Sequence, residues 1–123
     1  MDKNELVIAC DLSVFTDEQR DHHFAVVEQV FAFVTEAREL EDGYAFRLPY
    51  DSAHLFTLAE FMRDEHLCCP FWTFKLEVEP SGGAIWFHLT GPEGVKSLVA
   101  VDLAGVLDSQ VAAAVGLVPA SLN

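Results

Sequence analysis

Residues 72–90 read Trp72-Thr73-Phe74-Lys75-Leu76-Glu77-Val78-Glu79-Pro80-Ser81-Gly82-Gly83-Ala84-Ile85-Trp86-Phe87-His88-Leu89-Thr90. Trp72, Phe74, Leu76 and Val78 alternate with Thr73, Lys75, Glu77 and Glu79, the period-two pattern of a half-buried strand. Pro80 to Gly83 are turn formers, and Ile85, Phe87 and Leu89 alternate along a returning strand. Strands joined by so short a loop must run antiparallel. Upstream, residues 35–40 and 44–48 flank Glu41-Asp42-Gly43, a second hairpin signal in which Gly accepts positive φ cheaply. Tyr44, Phe46 and Leu48 alternate with Ala45 and Arg47, and Pro49 ends that strand.

Helices fill the intervals. Asp51 or Ser52 caps a helix expected to run to about Cys68, with Leu55, Leu58, Ala59 and Met62 as its buried stripe. Pro70 stops it, because the residue before proline is pushed out of the helical region. Thr16, with Asp17 and Glu18 in the next turn and Gln19 three residues on, forms a capping box. The helix it opens carries Phe24, Val27, Phe31 and Val34 at helical spacing, widened by Val26, Val30 and Phe33. Residues 6–10 read as a first strand. A third helix is expected to open at Pro92, with core face Val95, Leu98, Val99 and Val106. Residues 108–123 fit either a short helix or a loose tail. The resulting order, β-α-β-β-α-β-β-α, predicts a single α+β domain over residues 1–123, an antiparallel-rich sheet with helices packed on it.

Composition excludes whole classes of function. The 123 residues carry 20 acids against 7 bases, a formal net charge of −13. A nucleic-acid surface needs clustered Lys and Arg, so no nucleic-acid partner is expected. Anionic lipid is disfavoured for the same reason. The N-terminus lacks the basic-then-apolar order of a secretory signal, and Asp102 and Asp108 interrupt the most apolar region. These features predict a cytoplasmic protein with no membrane partner. High apolar content for the size, and two sheet faces that both read as apolar, predict a homodimer.

The chemistry-bearing stretch is Glu65-His66-Leu67-Cys68-Cys69-Pro70-Phe71. On a helix, Glu65 lies three and four residues before the two thiols, so Glu65, Cys68 and Cys69 can converge at the helix C-terminus. Two soft thiolates and a carboxylate are ligands for zinc or another thiophilic ion, with Cys10 and His66 as optional additions. Adjacent residues do not share a helix face, so joint chelation requires the chain to break at Pro70. The helix C-terminus and the acidic surroundings oppose thiolate formation, so the metal would supply the positive charge. The three cysteines are odd in number and two are adjacent. That is no disulfide framework, and in a reducing compartment all three are expected to be free unless metal-bound or catalytic. A vicinal Cys68–Cys69 disulfide would be labile and switch-like. The competing reading makes both residues small buried packing groups at a helix end.

The run from Glu65 to Phe74, then Gly82-Gly83, Trp86 and Leu89-Thr90-Gly91-Pro92-Glu93-Gly94-Val95-Lys96, resembles a family of small uncharacterised bacterial proteins. Those share a Glu-Arg-x-Cys-Cys-Pro-Phe core, a Gly-Gly turn and a closing Gly-Pro-Glu-Gly-Val segment. The resemblance covers about residues 44–98 and implies no established activity. His66 stands where that family tends to have Arg, and Leu67 where it tends to have a polar residue. This leaves Glu65, Cys68 and Cys69 as the ligands it favours.

Elsewhere the sequence is less informative. His22 and His23 point to different helix faces and read as surface residues, and His54 as exposed. Glu60 reads as a solvated carboxylate. Cys10 could meet the Cys pair across the sheet; a buried single Cys is the plainer reading. Trp86 and His88 share a strand face and could line a pocket or a contact. Three functions are therefore expected to compete. One is a small acidic protein binding a thiophilic metal ion through the Cys pair. Another is a thiol redox or transfer enzyme with Cys68 as the more exposed nucleophile and Cys69 as resolving partner. The last is a non-catalytic homodimeric interaction module using the Trp86/His88 face, its cysteines structural.

Overall fold

A computed structural model describes residues 9–117. After a 3-10 turn at Leu12–Val14 the elements are α1 (Asp17–Ala32), β1 (Glu36–Leu40), β2 (Gly43–Leu48), α2 (Ser52–Cys68), β3 (Thr73–Val78), β4 (Ile85–Thr90), α3 (Val95–Asp102) and α4 (Ser109–Ala114). The four strands form one antiparallel sheet in the order β1-β2-β4-β3. The class is α+β, and from α1 onward the element order follows the expected one. The strand expected at 6–10 falls largely on residues 6–8, outside the described residues; Ala9 and Cys10 are not strand.

Local chemistry accounts for the elements. At α1 the Thr16 hydroxyl accepts from the Gln19 N–H (3.1 Å) while the Gln19 side chain accepts from the Thr16 N–H (2.9 Å), a reciprocal capping box. Replacing Thr16 by Ala is expected to cost about 1 kcal/mol. Urea unfolding should show it as a lower midpoint at unchanged slope. Asp51 caps α2 by accepting from the Ala53 N–H. α3 begins at Val95 and not at Pro92, because Gly94 occupies the left-handed region (φ 103°) and turns the chain into the helix only there. Within the segment 108–123, residues 109–114 form a short helix capped by Asp108, and residues 118–123 lie outside the described residues.

The hairpin at Asp42-Gly43 is present, but Gly43 is needed for a different reason from the expected one. It opens β2 without positive φ, and a Cβ there would run into the carbonyl oxygen of Leu89 on β4. In the second hairpin, Ser81 (φ 60°) and Gly82 (φ 74°) are consecutive left-handed residues, which is what the Ser-Gly-Gly run supplies.

The helices share one face of the sheet. Phe31 of α1 meets Phe46 of β2 at 5.2 Å, and Phe61 of α2 meets Phe87 of β4 at 5.6 Å, both edge-on. Phe61 also contacts Phe31, tying α1 to α2. The buried face of α2 centres on Leu58, Phe61 and Cys68; Ala59, expected inside, is exposed. Phe24 of α1 and Phe33 just past its end are likewise exposed, because two helices on one sheet cover a narrower arc than the apolar stripe implies. The opposite sheet face carries Arg38, Arg47, Lys75 and Glu77, so only one face is apolar, contrary to expectation. On that polar face Trp86 is covered by the Arg38 guanidinium, 4.2 Å from its ring. No helix among the described residues is long and apolar enough to cross a membrane.

Candidate thiol and metal site

The Cys-Cys-Pro segment ends α2 as the sequence requires. Cys68 is the last helical residue, and Cys69 leaves the helix (φ −132°, ψ 72°) while its N–H still donates to the Glu65 carbonyl at 2.7 Å. That break turns both sulfurs inward. They lie 3.4 Å apart and both residues are 1% exposed. The Asp11 N–H donates to the Cys68 carbonyl at 2.7 Å, so the chain before α1 lies across the end of α2. This brings Cys10 to Cys69, and the two form a disulfide. The expectation of three unbridged cysteines is thereby corrected. Cys10 arrives over the helix end and not across the sheet, a juxtaposition that a separation of 59 residues conceals. Cys68 is the free thiol, and no vicinal bond joins it to Cys69.

His23 is the residue that sequence reading misplaced. It is 2% exposed, with its ring between Phe15 (5.4 Å) and Phe61 (5.9 Å, nearly parallel). Its Nε2 is 2.7 Å from Glu65 Oε2 and 4.0 Å from Cys68 Sγ. The signal was present: His23 falls three and seven residues before Val26 and Val30, on the buried stripe of α1. His22 behaves as expected, exposed and paired with Glu60 at 3.0 Å. His54 is half-buried, bonded to the Pro49 carbonyl and against the Phe33 ring. His66 is exposed on the outer side of α2.

Two overlapping groups of ligand atoms result, Cys10/Glu65/Cys69 and His23/Glu65/Cys68, each with its atoms within 4.8 Å of one another. They line a cavity of about 250 Å³ whose apolar walls include Leu12, Phe24, Val27 and Leu103, with Asp102 at its edge. The site is electrostatically hostile to a bare thiolate. Burial, then the Glu65 carboxylate, pushes the Cys68 thiol up to about 12. Burial, then Glu65 again, also raises the Asp102 carboxyl above its usual range. The Cys68 sulfur is 3.7 Å from the Glu65 carbonyl and 3.9 Å from its carboxylate, both acceptors for a protonated thiol. Cys68, expected to be more exposed than Cys69, is 1% exposed as Cys69 is; among the three cysteines the bridged Cys10 is the most exposed.

Comparison with protein-family models, with curated proteins and with solved structures finds no match.

Proposed function

We propose that this chain binds a thiophilic metal ion with Cys68, Cys69, Cys10 and Glu65, and that the Cys10–Cys69 bridge is the oxidised, closed form of the site. The observation that carries the reading is the pair of ligand groups meeting at Glu65. Their spacing also supports it. The Cys68–Cys69 sulfurs are 3.4 Å apart and Cys68 Sγ is 3.9 Å from Glu65 Oε2. Ligands of a tetrahedral zinc lie about 3.5–3.8 Å apart, given Zn–S and Zn–O bonds of about 2.3 and 2.1 Å. His23 holds Glu65 in place: Nε2–H already donates to the carboxylate, which orients the ligand in the way outer partners do. Ligation by Nε2 itself would move the proton to Nδ1, which is buried without an acceptor. A divalent ion leaves less uncompensated negative charge among three thiolates than copper(I) does, so zinc is the first ion to test. In a reducing compartment the bridge opens and the site forms; oxidation by a disulfide such as oxidised glutathione takes two electrons from Cys10 and Cys69 and closes it.

Zinc titration followed by native mass spectrometry tests this. The phosphine-reduced protein should take one zinc, and the bridged protein should bind at least about a hundredfold more weakly. In reduced protein, Cys68→Ser should weaken binding by at least about tenfold and Glu65→Gln by about as much, with circular dichroism unchanged. Reduced Cys68→Ser binding zinc as tightly as the parent would sink the proposal.

A thiol–disulfide relay is the second reading, and the 3.4 Å contact between Cys68 and bridged Cys69 favours it. Attack of a Cys68 thiolate on Cys69 would form a vicinal bond, break the Cys10–Cys69 bond and release Cys10 as thiolate. The scarcity of Cys68 thiolate at neutral pH ranks it below metal binding.

A further inference from the structure

Of the two edge strands, β1 and β3, it is β3, remote in role from the thiol cluster, that carries its own signal. β3 is last in the sheet order, so among the described residues it ladders only with β4, and one row of its N–H and C=O groups faces outward. Such an edge is a template for another strand unless a proline, a bulge, brevity or unpaired charged side chains blunt it, and the charges on β3 are Lys75 and Glu77. β3 has six residues in unbroken register with β4 and contains no proline. On the side facing the helices, Phe74 packs against Phe61 and Phe87. Further along, Leu76 and Val78 are 38% and 45% exposed although they lie on the sheet's apolar face. On the other side, Lys75 and Glu77 are exposed.

We propose that β3 pairs antiparallel with β3 of a second copy of this chain about a two-fold axis at Leu76, joining two four-stranded sheets into one of eight strands. The strand is complementary to itself in that register and in no neighbouring one. Leu76 meets the partner's Leu76, Phe74 meets the partner's Val78, and Lys75 meets the partner's Glu77 twice over, once from each side of the axis. A two-fold axis at Lys75 would set lysine against lysine, and one at Glu77 would set glutamate against glutamate. A slip of one residue would put charged side chains on the apolar face. The pairing covers Leu76 and Val78, and it matches charges locally where two chains of net charge −13 otherwise repel.

Sedimentation equilibrium of the full chain at physiological ionic strength, where the long-range repulsion is screened beyond about 8 Å, tests the pairing. The parent protein should sediment as a dimer at sub-millimolar concentration. Lys75→Glu alone and Glu77→Lys alone should each weaken dimerisation roughly tenfold or more, because each sets like charges opposite one another twice. The double exchange Lys75→Glu/Glu77→Lys should restore it, which no merely structural role of these exposed residues would produce. A monomeric parent protein, a dimer indifferent to the single exchanges, or a double exchange as weak as the singles would overturn the proposal. So would β3 amides protected from hydrogen exchange in a monomer and deprotected when residues 1–8 are deleted, which would assign the edge to the chain's own N-terminal segment.

Discussion

Reducing the Cys10–Cys69 bridge is expected to lower the unfolding free energy by about 4 kcal/mol, the chain-entropy value for a closed loop of this length. The bridged residues are 59 apart, so the loop contains α1, the first hairpin and α2, about half of the described chain. Opening it frees the unfolded ensemble far more than the native one. In the native state the N-terminal segment is still held by the Asp11–Cys68 backbone bond and by Phe15 against His23. For a domain of this size, that loss lowers the melting temperature by roughly 15 °C. Thermal unfolding with and without phosphine should show the drop. Cys10→Ser should show the same drop and should not respond to reductant. Zinc at about a hundred times its dissociation constant should return about 2.7 kcal/mol to the reduced protein and nothing to Cys10→Ser beyond what two thiolates and Glu65 retain. A melting temperature indifferent to reductant would mean that the bridge closes no loop that the unfolded chain would otherwise open.

The elements were legible because they rest on local chemistry. Thr16 with Gln19, Asp51 before α2 and Pro70 after it set the ends of two helices, and alternation from Phe74 to Leu89 set the second hairpin. The convergence of Glu65 and Cys68 was legible for the same reason, since three residues on a helix make one face. The break that turns Cys69 inward was legible in the proline that follows it. The remainder of the site was not, because it depends on how elements meet. Nothing local says that the segment bearing Cys10 crosses the end of α2. Nor does anything local say that His23, and not His66, faces Glu65; that follows from the packing of α1 beside α2. Apolar periodicity also overstated burial. Phe24 and Phe33 extend the stripe of α1 beyond the arc that the sheet covers, and Leu76 and Val78 alternate correctly but sit on an edge strand that α2 meets at Phe74. In these two cases the pattern identified the face and the topology decided the exposure.

The Cys68 thiol in the bridged protein is expected to alkylate with a midpoint near pH 12, where an ordinary cysteine lies near 9.0. The cause is burial at 1% exposure, reinforced by the Glu65 carboxylate 3.9 Å away. Three units reduce the thiolate at neutral pH by about a thousandfold, so iodoacetamide should label native Cys68 at least that much more slowly than the urea-unfolded chain. Because Cys10 and Cys69 are bonded to each other, the label reports on Cys68 alone. The same displacement makes stability depend on pH with a definite sign. Between about pH 9 and 12 the unfolded chain has lost this proton and the native one keeps it, so the native state binds more protons and stability falls as pH rises. The contribution is complete below pH 9 and is lost as pH approaches 12, at no more than about 1.4 kcal/mol per pH unit. Tyr44, raised chiefly by burial, adds a slope of the same sign, so the measurement is the difference between the parent and Cys68→Ala, in which only the cysteine part disappears. Zinc bound to the reduced protein should reverse the order, since a coordinated thiol is deprotonated outright and proton release on binding can be titrated directly. A native alkylation midpoint near 9 in the bridged protein would show Cys68 to be an ordinary accessible thiol. It would then move the thiol–disulfide relay ahead of metal binding as the use of this cluster.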